Sequence, residues 1–316
     1  MITKNRQTDA AVTEMAKAAF PEKQVVRITE LPEGMCNAAY CVAFSDGSES
    51  ILKIAAGNGT GYLSNEINLM KAEVAAMNLV RNHGGVKVAA VQAYDTSRTL
   101  CSGDYFFMEK LPGTNYRFLR SGMTEAENAA IDRELGQIAR SLQGIRNSQF
   151  GFLGDSRRYD TLYAFVQVML GNLLHDAAAR QIEILHCADD YLAWLERDRS
   201  AFDKVRSASL VHWDMWEGNV FVQNGHVSGI IDWERAMWGE PYMDDRFRRH
   251  NIRDGFLAGF GVRSFTEDEK KRLRWYDIIL YLTMMIEVFY REYEDKGNYC
   301  WTRDLLAQVL AESGLA

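Results

Sequence analysis

The chain has 316 residues, 47% of them hydrophobic and 25% charged, with a formal net charge of −7. That length suffices for one large domain or for two lobes with separate cores. The acidic balance argues against a general nucleic-acid or anionic-membrane binder, and only four prolines with no low-complexity tract exclude a long disordered linker.

The first twenty residues read as a charged amphipathic helix without the unbroken apolar stretch of a signal peptide. Residues 24–29, 40–44 and 50–54 are rich in β-branched and aromatic side chains and are expected to be strands, with Asp46-Gly47 as a hairpin turn. Leu63, Ile67, Met70, Val74, Met77 and Val80 recur at helical spacing, so residues 63–82 are expected to form a helix that stops at Gly84-Gly85. Residues 86–94 and 104–111 supply two more strands. The pattern is an antiparallel five-stranded sheet with one helix inserted after the third strand.

Pro112-Gly113 marks a break, after which helical periodicity dominates over residues 125–144, 160–174, 178–200, 267–295 and 303–312. The expected division is a β-rich lobe over 1–111 and a mainly helical lobe over 112–316, an α+β arrangement with a cleft between the two. The most apolar run, residues 278–286, is too short to cross a bilayer, so no membrane partner is expected. Cys36, Cys41, Cys101, Cys187 and Cys300 show no metal-ligand spacing and fit reduced thiols in a cytoplasmic protein. The Gly57–Gly61 stretch has G-x-G-x-G rather than dinucleotide-binding spacing, and a Walker-type phosphate loop is absent from the sequence.

Residues 210–245 carry the densest chemistry. Two apolar runs flank Asn224-Gly225, the pair favoured in a type I′ turn because both central positions take positive φ. His212, Asp214 and Asn219 precede this hairpin, and Asp232 and Glu234 follow it, so these polar groups should converge at one mouth. The spacing His212-x-Asp214-x-x-x-x-Asn219 is that of a phosphoryl-transfer loop, in which the Asp orients an acceptor hydroxyl and the Asn reaches a metal. Asp232, at the far end of the hairpin, stands where a second metal ligand is needed.

With Ile231-Asp232-Trp233-Glu234, Gly239-Glu240-Pro241 and Asp244, the chain resembles the aminoglycoside phosphotransferase and choline-kinase-like family, small-molecule kinases of the bilobal protein-kinase-like fold. The resemblance implies Asp214 as catalytic base, Asn219, Asp232 and Glu234 as magnesium-side residues, and His212 as a structural brace of the loop. It implies that Lys53 on the third strand binds the nucleotide phosphates with Glu73 as its helix partner, Glu66 being the second choice. Gly34 would lie in the turn covering the nucleotide, and Met108, Glu109 and Leu111 would form the segment facing the purine. ATP, with GTP as the other nucleotide, and Mg²⁺ are the implied cofactors.

The family's usual glycine between His and Asp is replaced by Trp213, which, with Asp244 and Glu287, is expected to face the acceptor. The implied function is transfer of a γ-phosphate to a hydroxyl of a small molecule, an aminoglycoside-like or other cationic compound among the candidates, by a monomer or homodimer. A catalytically silent nucleotide-binding protein of the same fold is the alternative. A metallohydrolase would need more than the one histidine found in the cluster.

Overall fold

The computed structural model describes residues 4–32, 37–57 and 61–314. Helix α1 (Asp9–Ala19) is capped by Thr8 and packs Val12, Met15 and Ala16 inward. Five antiparallel strands follow: β1 (Val25–Leu31), β2 (Ala38–Phe44), β3 (Glu49–Ile54), β4 (Val91–Asp95) and β5 (Tyr105–Glu109). Their order in the sheet is β1-β2-β3-β5-β4. In β2 buried and half-buried residues alternate, which places one face of the sheet against α1. The single inserted helix, α2 (Leu69–His83), packs its apolar stripe on the other face, in a core continuous with the helical half of the chain.

Helix α2 begins six residues later than its periodicity suggested. Ser64 donates to Asp176, Asn65 to the Met169 carbonyl and Asn68 to the Gly154 carbonyl. These side chains tie the preceding segment to other parts of the fold and compete with helix formation. The helix expected over 178–200 is also divided. Gln181 and Leu185 adopt positive φ, and the chain resumes as Ala188–Arg197 after a helix that ends at Ala179.

The hairpin forms as expected between strands Val220–Gln223 and His226–Ile230, with φ of +52° at Asn224 and +77° at Gly225. A small sheet not foreseen from the sequence sets the positions around it. Strand Met237–Gly239 pairs with Ala208–Val211, opposing Met237 to Val211. The segment entering His212 and the segment leaving Asp232 are thereby fastened side by side. The long helix Glu267–Tyr290, started by a Thr266–Glu269 capping box, closes the other side of this core. Among the described residues, no helix is long and apolar enough to cross a membrane.

Candidate active site

Lys53 is 8% exposed on β3, and its ammonium reaches both carboxylate oxygens of Glu73 on α2, at 2.7 and 2.8 Å. The same ammonium lies 2.5 Å from Asp232 Oδ1. Burial disfavours the Lys53 charge, but Asp232 and Glu73 outweigh it and hold the group protonated. Asp232 is kept below the usual carboxylate range by Lys53 against the penalty of burial. Its φ of +67° turns the chain sharply from the hairpin into Trp233-Glu234-Arg235. Glu73, Asp232 and Glu234 place carboxylate oxygens within 4.8 Å of one another, and Glu234 accepts a 2.7 Å bond from Asn37.

The loop after Val211 is braced from three sides. His212 is fully buried; its Nε2 donates to the Ile231 carbonyl at 2.9 Å and its Nδ1 accepts from the Asp214 N–H at 3.2 Å. That pattern requires the neutral imidazole, and burial lowers its pKa to about 4. Asn219 Nδ2 donates to the Asp214 carbonyl and to Asp214 Oδ2, at 2.8 and 3.1 Å. Burial pushes the Asp214 carboxyl up; Arg235 opposes that rise, while Asp245, Asp232 and Glu287 add to it.

A cleft of about 380 Å³ lies under the sheet, lined by Leu31, Ile51, Met108, Glu109, Leu111 and Phe221, and it reaches Ile231, the neighbour of Asp232. Its largely apolar walls suit a flat heterocycle.

The sequence matches the profile of the phosphotransferase enzyme family, APH, over residues 27–245. The chain belongs to this family. Among curated proteins nothing matches it significantly. Several solved structures share its shape. A thermostable variant of the aminoglycoside phosphotransferase APH(4)-Ia, in ternary complex with ADP and hygromycin B, is 16% identical over 95% of this chain and 98% of that chain, with a TM-score of 0.69. A protein provisionally named fructosamine-3-kinase, from Thermobifida fusca, is 15% identical over 95% and 98%, with a TM-score of 0.70. APH(2")-IIa, complexed with streptomycin and ATP, is 14% identical over 96% and 97%, with a TM-score of 0.59. At such identities these likenesses establish the protein-kinase-like fold, and the family match makes the protein a small-molecule phosphotransferase.

Within that phosphotransferase fold, Lys53, Glu73, Asp214, Asn219, Asp232, Glu234 and His212 come together, although they lie up to 181 positions apart in sequence. Glu66, the second choice as partner of Lys53, instead pairs with Arg235 and Arg291. Met108, Glu109 and Leu111 line the cleft. Gly34 lies outside the described residues.

The three residues expected to face the acceptor are placed differently. Trp213 is 8% exposed and turned into the core. A tryptophan in the left-handed region, here at φ +74°, stores about 1–3 kcal/mol of backbone strain. Asp244 is buried and accepts the Trp213 N–H at 3.0 Å and the Arg246 N–H at 3.1 Å, so its carboxylate fixes the loop backbone. Glu287 is bonded by Arg235 at 2.8 Å and lies 3.4 Å from Arg291. The Glu66–Arg235–Glu287–Arg291 group was invisible in the sequence because its members come from three distant segments. Only the adjacency of Arg235 to Glu234 hinted at it.

Proposed function

We propose that the protein is a magnesium- and ATP-dependent kinase that moves the γ-phosphate to a hydroxyl of a small molecule. One observation carries the reading: the Lys53 ammonium bridges Glu73 and Asp232 at the same mouth where Asn219 holds Asp214. A lysine pinned in this way is positioned to receive the nucleotide phosphates, and Asp214 to align the acceptor hydroxyl and take its proton. His212 braces the loop through its two ring nitrogens and Asp244 through two backbone N–H groups. Glu109 spends its N–H on the Ala90 carbonyl at 2.9 Å, so the purine contacts fall to the backbone of Lys110 and Leu111.

The donor set fits magnesium, a hard cation that prefers oxygen ligands. Asp232 and Glu234 offer clustered carboxylates, and the Asn219 amide donates through nitrogen, which turns its oxygen to other use. Asn219 and Asp232 would hold the ion, with Glu234 beside them, and the ion would neutralise charge on the β- and γ-phosphates. Lys53 supplies the protein's own share of that neutralisation, and catalysis is then mainly positioning and electrostatics.

The acceptor we favour is a hydroxyl compound without polycationic character. Glu66 and Glu287 are each paired with Arg235 and Arg291, and Asp244 is committed to the loop, so none of these three is a free carboxylate for an ammonium group. The reading is tested by thermal shift with AMP-PNP, with and without Mg²⁺, followed by labelled-phosphate transfer from ATP or GTP to neutral polyols, amino alcohols and aminoglycosides. Nucleotide should raise the melting temperature only with the metal. No shift rejects the reading. Binding without transfer to any acceptor or to water favours the catalytically silent alternative.

A further inference from the structure

Trp213 immediately precedes Asp214 and sits at φ +74°, a conformation that glycine adopts freely and tryptophan rarely. A loop that needed only the turn would be better served without a side chain. The indole therefore has to contribute something that offsets the strain. It points inward, lining a narrow crevice of about 20 Å³ with Leu63, Ile67, Ala72, Phe152 and Thr283. Leu63 and Ile67 belong to the segment leading into α2, and Ala72 to the first turn of α2, the helix that carries Glu73.

Arg235 lines the same crevice, and its guanidinium lies over the ring, 5.4 Å from the centroid. That guanidinium donates to Glu66, also in the segment before α2, and to Glu287 of the long helix, both at 2.8 Å. Arg291 contacts the same two carboxylates. The Trp213 backbone is fastened independently of the ring, its N–H to Asp244 Oδ2 at 3.0 Å and its carbonyl to the Asp245 N–H at 3.2 Å.

We propose that Trp213 is a positioning residue whose indole locks the catalytic loop to the start of α2, so that Asp214 and the Lys53–Glu73 pair keep one fixed spacing. The proposal rests on the phosphotransfer reading above and deepens it. Because Asp244 and Asp245 hold the loop backbone, loss of the ring leaves the loop folded and frees its distance from α2. The nucleotide still binds, but the hydroxyl and the phosphate are no longer held in line.

The test compares W213G, which removes the ring and the backbone strain together, with W213F, which restores an aromatic wedge. Two measurements on the full chain are used, neither needing the acceptor to be known. Hydrogen exchange of the amides in residues 69–83 should accelerate about tenfold or more in W213G and return near wild type in W213F. Magnesium-dependent ATP hydrolysis, with water as acceptor, should lose about tenfold or more in kcat in W213G with KM for ATP within about threefold, while W213F recovers most of the rate. Unchanged exchange in α2, or a W213G kcat equal to wild type, overturns the proposal. So does a parallel loss of nucleotide affinity in both variants, which marks general destabilisation. Wild-type protein that fails to bind magnesium–ATP instead rejects the phosphotransfer reading itself.

Discussion

Lys53 Nζ lies 2.5 Å from Asp232 Oδ1, joining the third strand to a residue 179 positions later in the chain. The cation also opposes the push of burial on Glu73, whose carboxyl is raised to about 7, and Asp232 and Glu234 stand within 4.8 Å as further carboxylates. Removing it leaves these carboxylates uncompensated. K53M should therefore lose about 3–5 kcal/mol of stability, the range for breaking a buried pair from one side, and lose magnesium-dependent nucleotide binding. Urea unfolding and nucleotide-induced thermal shift check the two effects. A variant as stable as wild type would show that the three carboxylates can shed their charge together at little cost.

Asp214 is the base we propose, and Asn219 donates to its carboxylate. In D214N the amide keeps the size of the side chain but cannot accept the hydroxyl proton. Phosphoryl transfer should fall by about 10²–10⁴-fold. KM for ATP should stay close to wild type, since Asp214 is not assigned to the nucleotide. Steady-state kinetics on any accepted hydroxyl, or on water, separates the two parameters.

His212 links stability to pH. Burial lowers its pKa from 6.5 to about 4, so the native state disfavours its protonated form. The stability it contributes is complete above pH 6.5 and is lost as pH falls from there to about 4. The shift corresponds to about 3 kcal/mol as an order of magnitude. Asp244, raised to about 7 chiefly by burial, has the opposite slope, so the His212 part has to be isolated by difference. The unfolding free energy of wild type minus that of H212N should decline across this window; a flat difference would mean that the imidazole can charge in place.

Asp244 accepts two buried backbone N–H groups, from Trp213 and Arg246. D244A orphans both, at about 1–3 kcal/mol each. We expect a lower melting temperature and a reduced kcat, with nucleotide affinity retained. A loss of nucleotide affinity as large as the loss in kcat would contradict its placement on the loop rather than at the phosphates.

Much of this was legible without coordinates, and the reason is local. The β-branched runs around Asp46-Gly47 and Asn224-Gly225 fix two hairpins through turn chemistry alone, and the spacing of His212, Asp214 and Asn219 along one loop is itself a geometric statement. The choice between Glu66 and Glu73 was not local. Both lie near the start of the same helical pattern, and only packing decided that Glu73 faces Lys53 while Glu66 meets Arg235 and Arg291. The direction of Trp213 was likewise beyond the sequence, since a positive φ and an inward crevice exist only once α2 and the long helix are assembled. Asp244 and Glu287 resembled acceptor ligands because their charge can be read from the chain, whereas the groups that use up that charge cannot. Residue order and spacing alone carried the phosphotransferase signature of residues 210–245. The tertiary structure alone decided which charges are paired and which remain available, because pairing depends on distances between segments that sequence order does not constrain.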